Sequence, residues 1–170
     1  MILSGPRVTL RPATAGDVAD LIAIRSEPLV AQRWGELGDR EIEDDYVDND
    51  RVFVVEADGE VIGAIQYEEE QDPMYRHAGI DIFLTTSRHD RGFGSQAVRL
   101  LARHLIEERG HHRLTIDPAA DNAAAIRAYE KVGFRPVGVM HSYERGPDGT
   151  WHDGLLMELL ADELTDEGEP

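Results

Sequence analysis

The chain has no cysteine among its 170 residues, no long apolar run, no HExxH or other paired metal spacing among its seven histidines, and no GxSxG elbow. Without cysteine there is no disulfide framework and no thiolate nucleophile or ligand, in agreement with a reducing compartment. The amino-terminal stretch Met1-Ile-Leu-Ser-Gly-Pro-Arg7 has neither a charged leader nor an apolar core. It signals neither secretion nor membrane insertion, and a cytoplasmic setting is expected. The missing motifs argue against metal and serine-nucleophile chemistry, and no metal is expected. Basic residues are also scarce: 17 Lys and Arg stand against 34 Asp and Glu, a formal charge of −17. That balance disfavours nucleic acid and anionic membranes and favours a cationic partner. No internal repeat or low-complexity linker is visible, and 41% hydrophobic residues suit one domain over residues 1–170.

What is present is organised. Acids gather between Glu36 and Asp50, between Glu68 and Asp72, and in a tail from Asp162 to Glu169. The tail reads as a solvated face, whereas the first two clusters read either as solvated faces or as the flanks of a substrate mouth. Arg7–Arg11 alternates as a half-buried strand, and Thr14-Ala-Gly-Asp17 caps an amphipathic helix through Arg25. A short acidic helix is predicted over Gly38–Val47. Strands Val52–Val55 and Val61–Tyr67 are joined by Asp58-Gly59, a strong hairpin signal. Ile80–Leu84 is the next strand, and Ser95–Arg109 is a long helix with Val98, Leu101, Ala102 and Leu105 at core spacing. His112–Asp117 is a strand stopped by Pro118; a helix capped near Asp121 runs to Gly133; Phe134–Tyr143 and Leu155–Leu160 pair through a turn containing Pro147-Asp148-Gly149.

The densest chemistry lies between Gly79 and Phe134. Gly79-Ile80-Asp81 ends in a strand, Arg88-His-Asp-Arg91-Gly92-Phe93-Gly94-Ser95 opens a helix, and Asn122 precedes Tyr129 by seven residues on the next helix. Glycines at a helix start leave backbone N–H groups bare, and the helix dipole favours an anion there, so a pyrophosphate suits the loop. Gly92-x-Gly94-x-x-Ala97 with Asp117 downstream also satisfies the dinucleotide fingerprint. That fingerprint wants its glycines straight after a strand, however, and Thr85 to Arg91 intervene.

The unit resembles the cofactor-binding core of the GNAT superfamily of acyl-CoA N-acyltransferases, whose loop reads Gln or Arg, two residues, Gly, one residue, Gly or Ala. Here His89 stands at the first position, with Arg88 and Arg91 beside it to supply charge. The predicted order βααβββαβαββ, an α/β fold with a mixed central sheet flanked by helices, is that of the GNAT fold. The resemblance implies acetyl-CoA as acyl donor, its pyrophosphate at Arg91, Gly92, Gly94 and Ser95. It implies further that pantetheine and sulfur lie near Asn122 and Tyr129, and that the carbonyl is polarised by N–H groups at Ile82 and Leu84.

Acyl transfer to an amine needs a proton acceptor, a polarised carbonyl and a proton for the departing thiolate. Asp81 suits the first task and the Tyr129 phenol the last. Within the superfamily the chain is most similar to aminoglycoside 6′-N-acetyltransferases, on Gly79-Ile-Asp81, Thr115-Ile-Asp117-Pro118, Asn122 to Phe134 and Pro147-Asp148-Gly149, with Trp34-Gly35 and Tyr46. That likeness implies Asp81 near the reacting amine, Asp117 and Asp148 on further substrate amines, and Trp34 and Tyr46 lining the acceptor cleft. Another amine acceptor (a siderophore hydroxylysine, a polyamine or a protein N-terminus) and a non-catalytic binding module are the alternatives. Oligomeric state is not legible.

Overall fold

The computed structural model describes residues 1–166, and the end of the acidic tail, Glu167 to Glu169, lies outside them. A few backbone reversals order the chain. Asp58 and Gly59 take φ of 56° and 80°, the pairing of positive dihedrals whose twist suits a tight hairpin, and they join β3 (Val52–Ala57) to β4 (Glu60–Glu70). At the front, Asp17 accepts from the Thr14 N–H and hydroxyl at 2.8 and 2.9 Å and from both terminal nitrogens of Arg11 at 2.8 Å. The Arg11 guanidinium outweighs burial and holds the Asp17 carboxyl down to about 2. The cluster ties β2 (Thr9–Pro12) to the start of α1 (Val18–Arg25).

The remaining elements are β1 (Leu3–Ser4), α2 (Pro28–Trp34), α3 (Asp39–Tyr46), β5 (His77–Leu84), α4 (Phe93–Glu107), β6 (Arg113–Ile116), α5 (Ala123–Glu130), β7 (Arg135–Arg145) and β8 (Trp151–Leu160). The eight strands form one sheet in the order β1-β2-β3-β4-β5-β6-β8-β7, antiparallel except where β5 meets β6. Because side chains alternate along a strand, β3 sends Phe53, Val55 and Ala57 into a core shared with α4 and α5, and Val52 and Val54 into a second core under α1, α2 and α3. Val98, Leu101, Ala102 and Leu105 of α4 are completely buried, as their spacing predicts. Truncating Leu101 or Leu105 to Ala would cost about 2–5 kcal/mol.

The mixed, helix-flanked sheet agrees with the predicted fold class, but the front of the chain is richer than the predicted string. A third helix, α2, begins with Pro28 at its first position, and β1 adds a two-residue edge. The cap of α5 is Asn122, whose side-chain oxygen accepts from the Ala125 N–H at 3.3 Å, rather than the neighbouring Asp121. Of the tail acids, Asp162 and Asp166 are exposed, Asp166 pairing with Arg103 at 2.9 Å, while Glu163 is half-buried and pairs with Arg135.

One irregularity positions everything that follows. β4 holds β5 along its whole length, from Glu70 opposite His77 to Gly63 opposite Leu84. β6 pairs with β5 only at Ala78↔Leu114 and Gly79↔Thr115. Beyond Gly79 the two parallel strands part, and a gap opens in the middle of the sheet.

Candidate active site

The gap exposes one edge of β5. The Thr85 N–H donates to the Ile62 carbonyl on the β4 side at 2.8 Å, and backbone groups alternate sides along a strand. The N–H groups of Ile82 and Leu84 therefore point the other way, into the gap. His89 agrees with this, since its Nε2 lies 2.9 Å from the Leu84 carbonyl on that same open edge. The loop after β5 is pinned beneath by Glu27, which accepts from the Thr85 hydroxyl at 2.6 Å and from the Thr86 N–H and hydroxyl at 2.7 Å. Partial burial opposes the Glu27 charge, but these bonds outweigh it and keep the carboxyl below its ordinary range.

Gly92 caps α4 in the left-handed region at φ 82°, where an L side chain is strained. A Cβ on Gly94 would reach the Leu84 side chain at 3.6 Å, an ordinary contact, so packing in the free protein does not demand glycine at this position. Gly92, Gly94 and Ser95 face Asn122 and Tyr129 of α5 across a cavity of about 360 Å³ that also reaches Ile82, Leu84 and Trp34. Tyr129 is 8% exposed, and its hydroxyl makes no hydrogen bond among the described residues. Burial, with the negative Asp81 and Asp117 nearby, pushes its phenol well above the ordinary value. It is a proton donor without a protein acceptor.

On the other face of β5, Asp81 shares its side of the strand with Phe83, against which Trp34 and Tyr46 pack edge to face at centroid distances of 5.2 and 6.3 Å. The Asp81 carboxylate is hemmed in by protein on most sides but open to solvent, and it accepts no hydrogen bond among the described residues. Loss of surrounding water, then the charges of Asp117 and Glu144, push it up to about 7. A carboxylate so placed exchanges a proton near neutrality, as a general base for an amine must.

The far wall comes from a bulge. The β7–β8 register shifts between Met140 and Glu144, with Ser142 at φ 50°, and Asp153 clamps the distortion by accepting from the Ser142 N–H at 2.8 Å. Bulges re-aim side chains. Here the Tyr143 ring lies on Gly154, where a Cβ would meet it at 2.8 Å, and its hydroxyl donates to Asp117. That bond, then burial, pushes the Tyr143 phenol up to about 12.

This arrangement has counterparts among known proteins. The sequence matches the family model for the acetyltransferase (GNAT) domain over residues 7–135. The chain belongs to the GNAT acetyltransferases. It is 30% identical over 168 residues to aminoglycoside N(6′)-acetyltransferase type 1 of Klebsiella pneumoniae, covering 86% of this chain and 81% of that one. It is 26% identical over 152 residues to spermidine N(1)-acetyltransferase of Escherichia coli K12, with 82% and 80% covered. Among solved structures, the aminoglycoside acetyltransferase AAC(6′)-Ib with coenzyme A superposes at a TM-score of 0.72 with 28% identity, over 92% of this chain and 96% of that one. This acetyltransferase is an enzyme that takes acetyl-CoA as its donor.

The residues fit that donor. A left-handed glycine cap, an open strand edge and an unpartnered phenol face one cavity, as a thioester with a pyrophosphate handle requires. Other sequence-predicted residues sit less simply. Arg91 lies outside the cavity, its guanidinium 5.8 Å from the Phe93 ring and its carbonyl accepting from Arg7. Tyr46 is 5% exposed and does not line an open cleft; its hydroxyl meets Arg25 at 3.1 Å. Asp148 is spent on its own turn, accepting from the Thr150 N–H at 2.9 Å and lying 3.1 Å from His152 Nε2. These bonds hold Asp148 down to about 2. Its turn still approaches the front wall, since a Cβ on Gly35 would lie 3.8 Å from Pro147.

Of the flanking acids, Glu68 is exposed and paired with Arg51 at 3.0 Å, while Glu69 is buried on the opposite face. Sequence reasoning missed Tyr143, Glu144, Glu27 and Arg25. Arg25, 3% exposed, donates to the Trp34 and Gly35 carbonyls and lies 5.3 Å from the Trp34 and Phe83 rings. Among the described residues no three His, Asp or Glu side chains gather as a metal requires, and no helix is long and apolar enough to cross a membrane.

Proposed function

We propose that the chain acetylates the 6′ amine of an aminoglycoside in a direct ternary complex, in the cytoplasm. When bound, the donor supplies an activated acetyl thioester. Asp81 takes the proton from the attacking ammonium or amine, directly or through water, because its pKa of about 7 leaves it part ionised at neutral pH. The Ile82 and Leu84 N–H groups, fixed on the unpaired edge of β5, stabilise negative charge as it develops on the carbonyl oxygen. The Tyr129 hydroxyl gives its proton to the departing sulfur. Asp117 and Glu144, with Trp34 opposite, receive the acceptor's other cationic amines, each charge-assisted bond being worth roughly 1.5–3 kcal/mol. Asp148 lines the outer rim.

The observation that carries this reading is that Asp81, which is not among the residues lining the donor cavity, still lies near enough for its charge to act on the Tyr129 phenol. Asp81 and the unpartnered Tyr129 phenol approach the gap from opposite faces of the sheet, with free N–H groups between them. Incubation with acetyl-CoA and kanamycin, with NMR of the product, tests it: acetylation at the 6′ nitrogen is expected. Turnover of spermidine in place of kanamycin would instead establish a polyamine acetyltransferase, a reading favoured by the spermidine-acetylating relative. Gly94→Glu should abolish donor binding in a folded protein by filling the loop.

A further inference from the structure

The glycine loop accounts for the donor's pyrophosphate and leaves another charge unexplained. CoA also carries a phosphomonoester on its ribose 3′ oxygen, close to a dianion at neutral pH. In a chain of net charge −17, such a group is repelled unless local cations offset the field. Four long cationic side chains line the cavity, and two are already committed: Arg33 pairs with Asp121 at 3.1 Å, and Arg88 with Asp58 and Glu60 at 3.0 and 3.1 Å. Arg127 and Lys131 have no carboxylate partner among the described residues.

These two stand one turn apart at the end of α5, so they share a face of the helix. Like charges at that spacing oppose each other, and an anion between them would turn the repulsion into attraction. The small Ala124 and Ala128 beside them leave the cavity wall open. The backbone there is firmly held, because the Lys131 carbonyl accepts from Arg99 and from the Thr165 hydroxyl, both at 2.8 Å. Lys131 is also the only lysine in the whole sequence. The rival cations, Arg7 and Arg91, stack around Phe93 and border a different recess on the outer side of the loop.

We propose that Arg127 and Lys131 form the subsite for the donor's 3′-phosphate and make the enzyme discriminate CoA from dephospho-CoA. This rests on acetyl-CoA being the donor bound at the glycine loop. Calorimetry with both nucleotides tests it on the intact protein. The wild type should bind CoA roughly 2- to 30-fold more tightly than dephospho-CoA, as expected of two exposed charge contacts. The double variant Arg127→Gln, Lys131→Gln should bind both with the wild-type affinity for dephospho-CoA. A preference absent from the wild type, kept in the double variant, or lost instead in Arg7→Gln, Arg91→Gln overturns the subsite. A wild type that binds neither nucleotide overturns the donor site itself.

The single lysine allows a second readout that needs no variant. An amine-reactive label has two targets, Lys131 and the terminal amine, and the terminal amine serves as internal reference. CoA should protect Lys131 several-fold more than saturating dephospho-CoA does. Equal protection by the two would reject the assignment.

Discussion

Glu69 on β4 and Asp81 on β5 are carboxylates on adjacent strands of one sheet, and they have opposite fates. Glu69 is almost completely enclosed, yet it is held down to about 2, because Arg109 donates to it at 2.7 and 3.1 Å and His111 meets it at 2.7 Å. Asp81 remains open to solvent, yet it is pushed up to about 7, because it loses surrounding water, faces Asp117 and Glu144, and has no cation against it. Solvent exposure therefore does not by itself sort these two acids. The presence of a fixed cation does.

The sharpest way to break the comparison is to neutralise each acid in turn. Asp81→Asn removes the proton acceptor and should lower kcat about 10²- to 10⁴-fold with donor binding unchanged. Above pH 7 its melting temperature should equal or exceed that of the wild type. The sign follows because a folded pKa raised above its ordinary 3.8 means that ionising Asp81 opposes folding. Glu69→Gln should do the reverse, costing about 1–3 kcal/mol by weakening the bond to the buried His111, the half-exposed Arg109 being free to rehydrate, while activity per folded molecule persists. Denaturant titration beside steady-state kinetics separates the two. Glu69 also makes stability acid-sensitive: its contribution is full above its ordinary pKa of 4.5 and fades as pH falls from there toward 2.

Tyr129→Phe should lower kcat about 10- to 100-fold with little change in acceptor KM, since the phenol's proton is needed only as the sulfur departs. Unchanged kcat where chemistry limits the rate would make Tyr129 a packing residue. The smallest effect belongs to Asp117→Asn. Removing that charge should shift the acid limb of the kcat/KM profile, set near pH 7 by Asp81, to lower pH by up to about 1 unit, and raise the acceptor KM several-fold. A limb that stays in place would mean that Asp117 does not feel the base.

The sequence carried the hairpin at Asp58-Gly59 and the buried face of α4, because each depends on local dihedral chemistry or one helical period; the facing of Gly92 and Gly94 to Asn122 and Tyr129 is a tertiary relation that only the family resemblance implied. It hid α2, a seven-residue helix in which Val30 is buried but Leu29 is exposed, so no apolar period develops. It also hid Tyr143 and Glu144. Their placement depends on a register shift around Ser142, and a strand read as regular alternation sends those side chains elsewhere. The placing of Asp148 on a substrate amine is implied by the family resemblance alone; its bonds to Thr150 and His152 within its own turn depend on how that turn folds, which the residue's identity does not carry.

The short pairing of β5 with β6, two residue pairs in all, makes the sheet two stiff plates riveted along a very short seam. One plate is β1 to β5 and the other is β6, β8 and β7. The two plates share one apolar core beneath α4 and α5, and a ligand lying between them would act as the missing strand, stapling the part of the seam that no backbone ladder closes. Hydrogen exchange would register this as slowing of the Ile82 and Leu84 amides on donor binding, while amides at the centre of β3, already laddered on both sides, keep their rates.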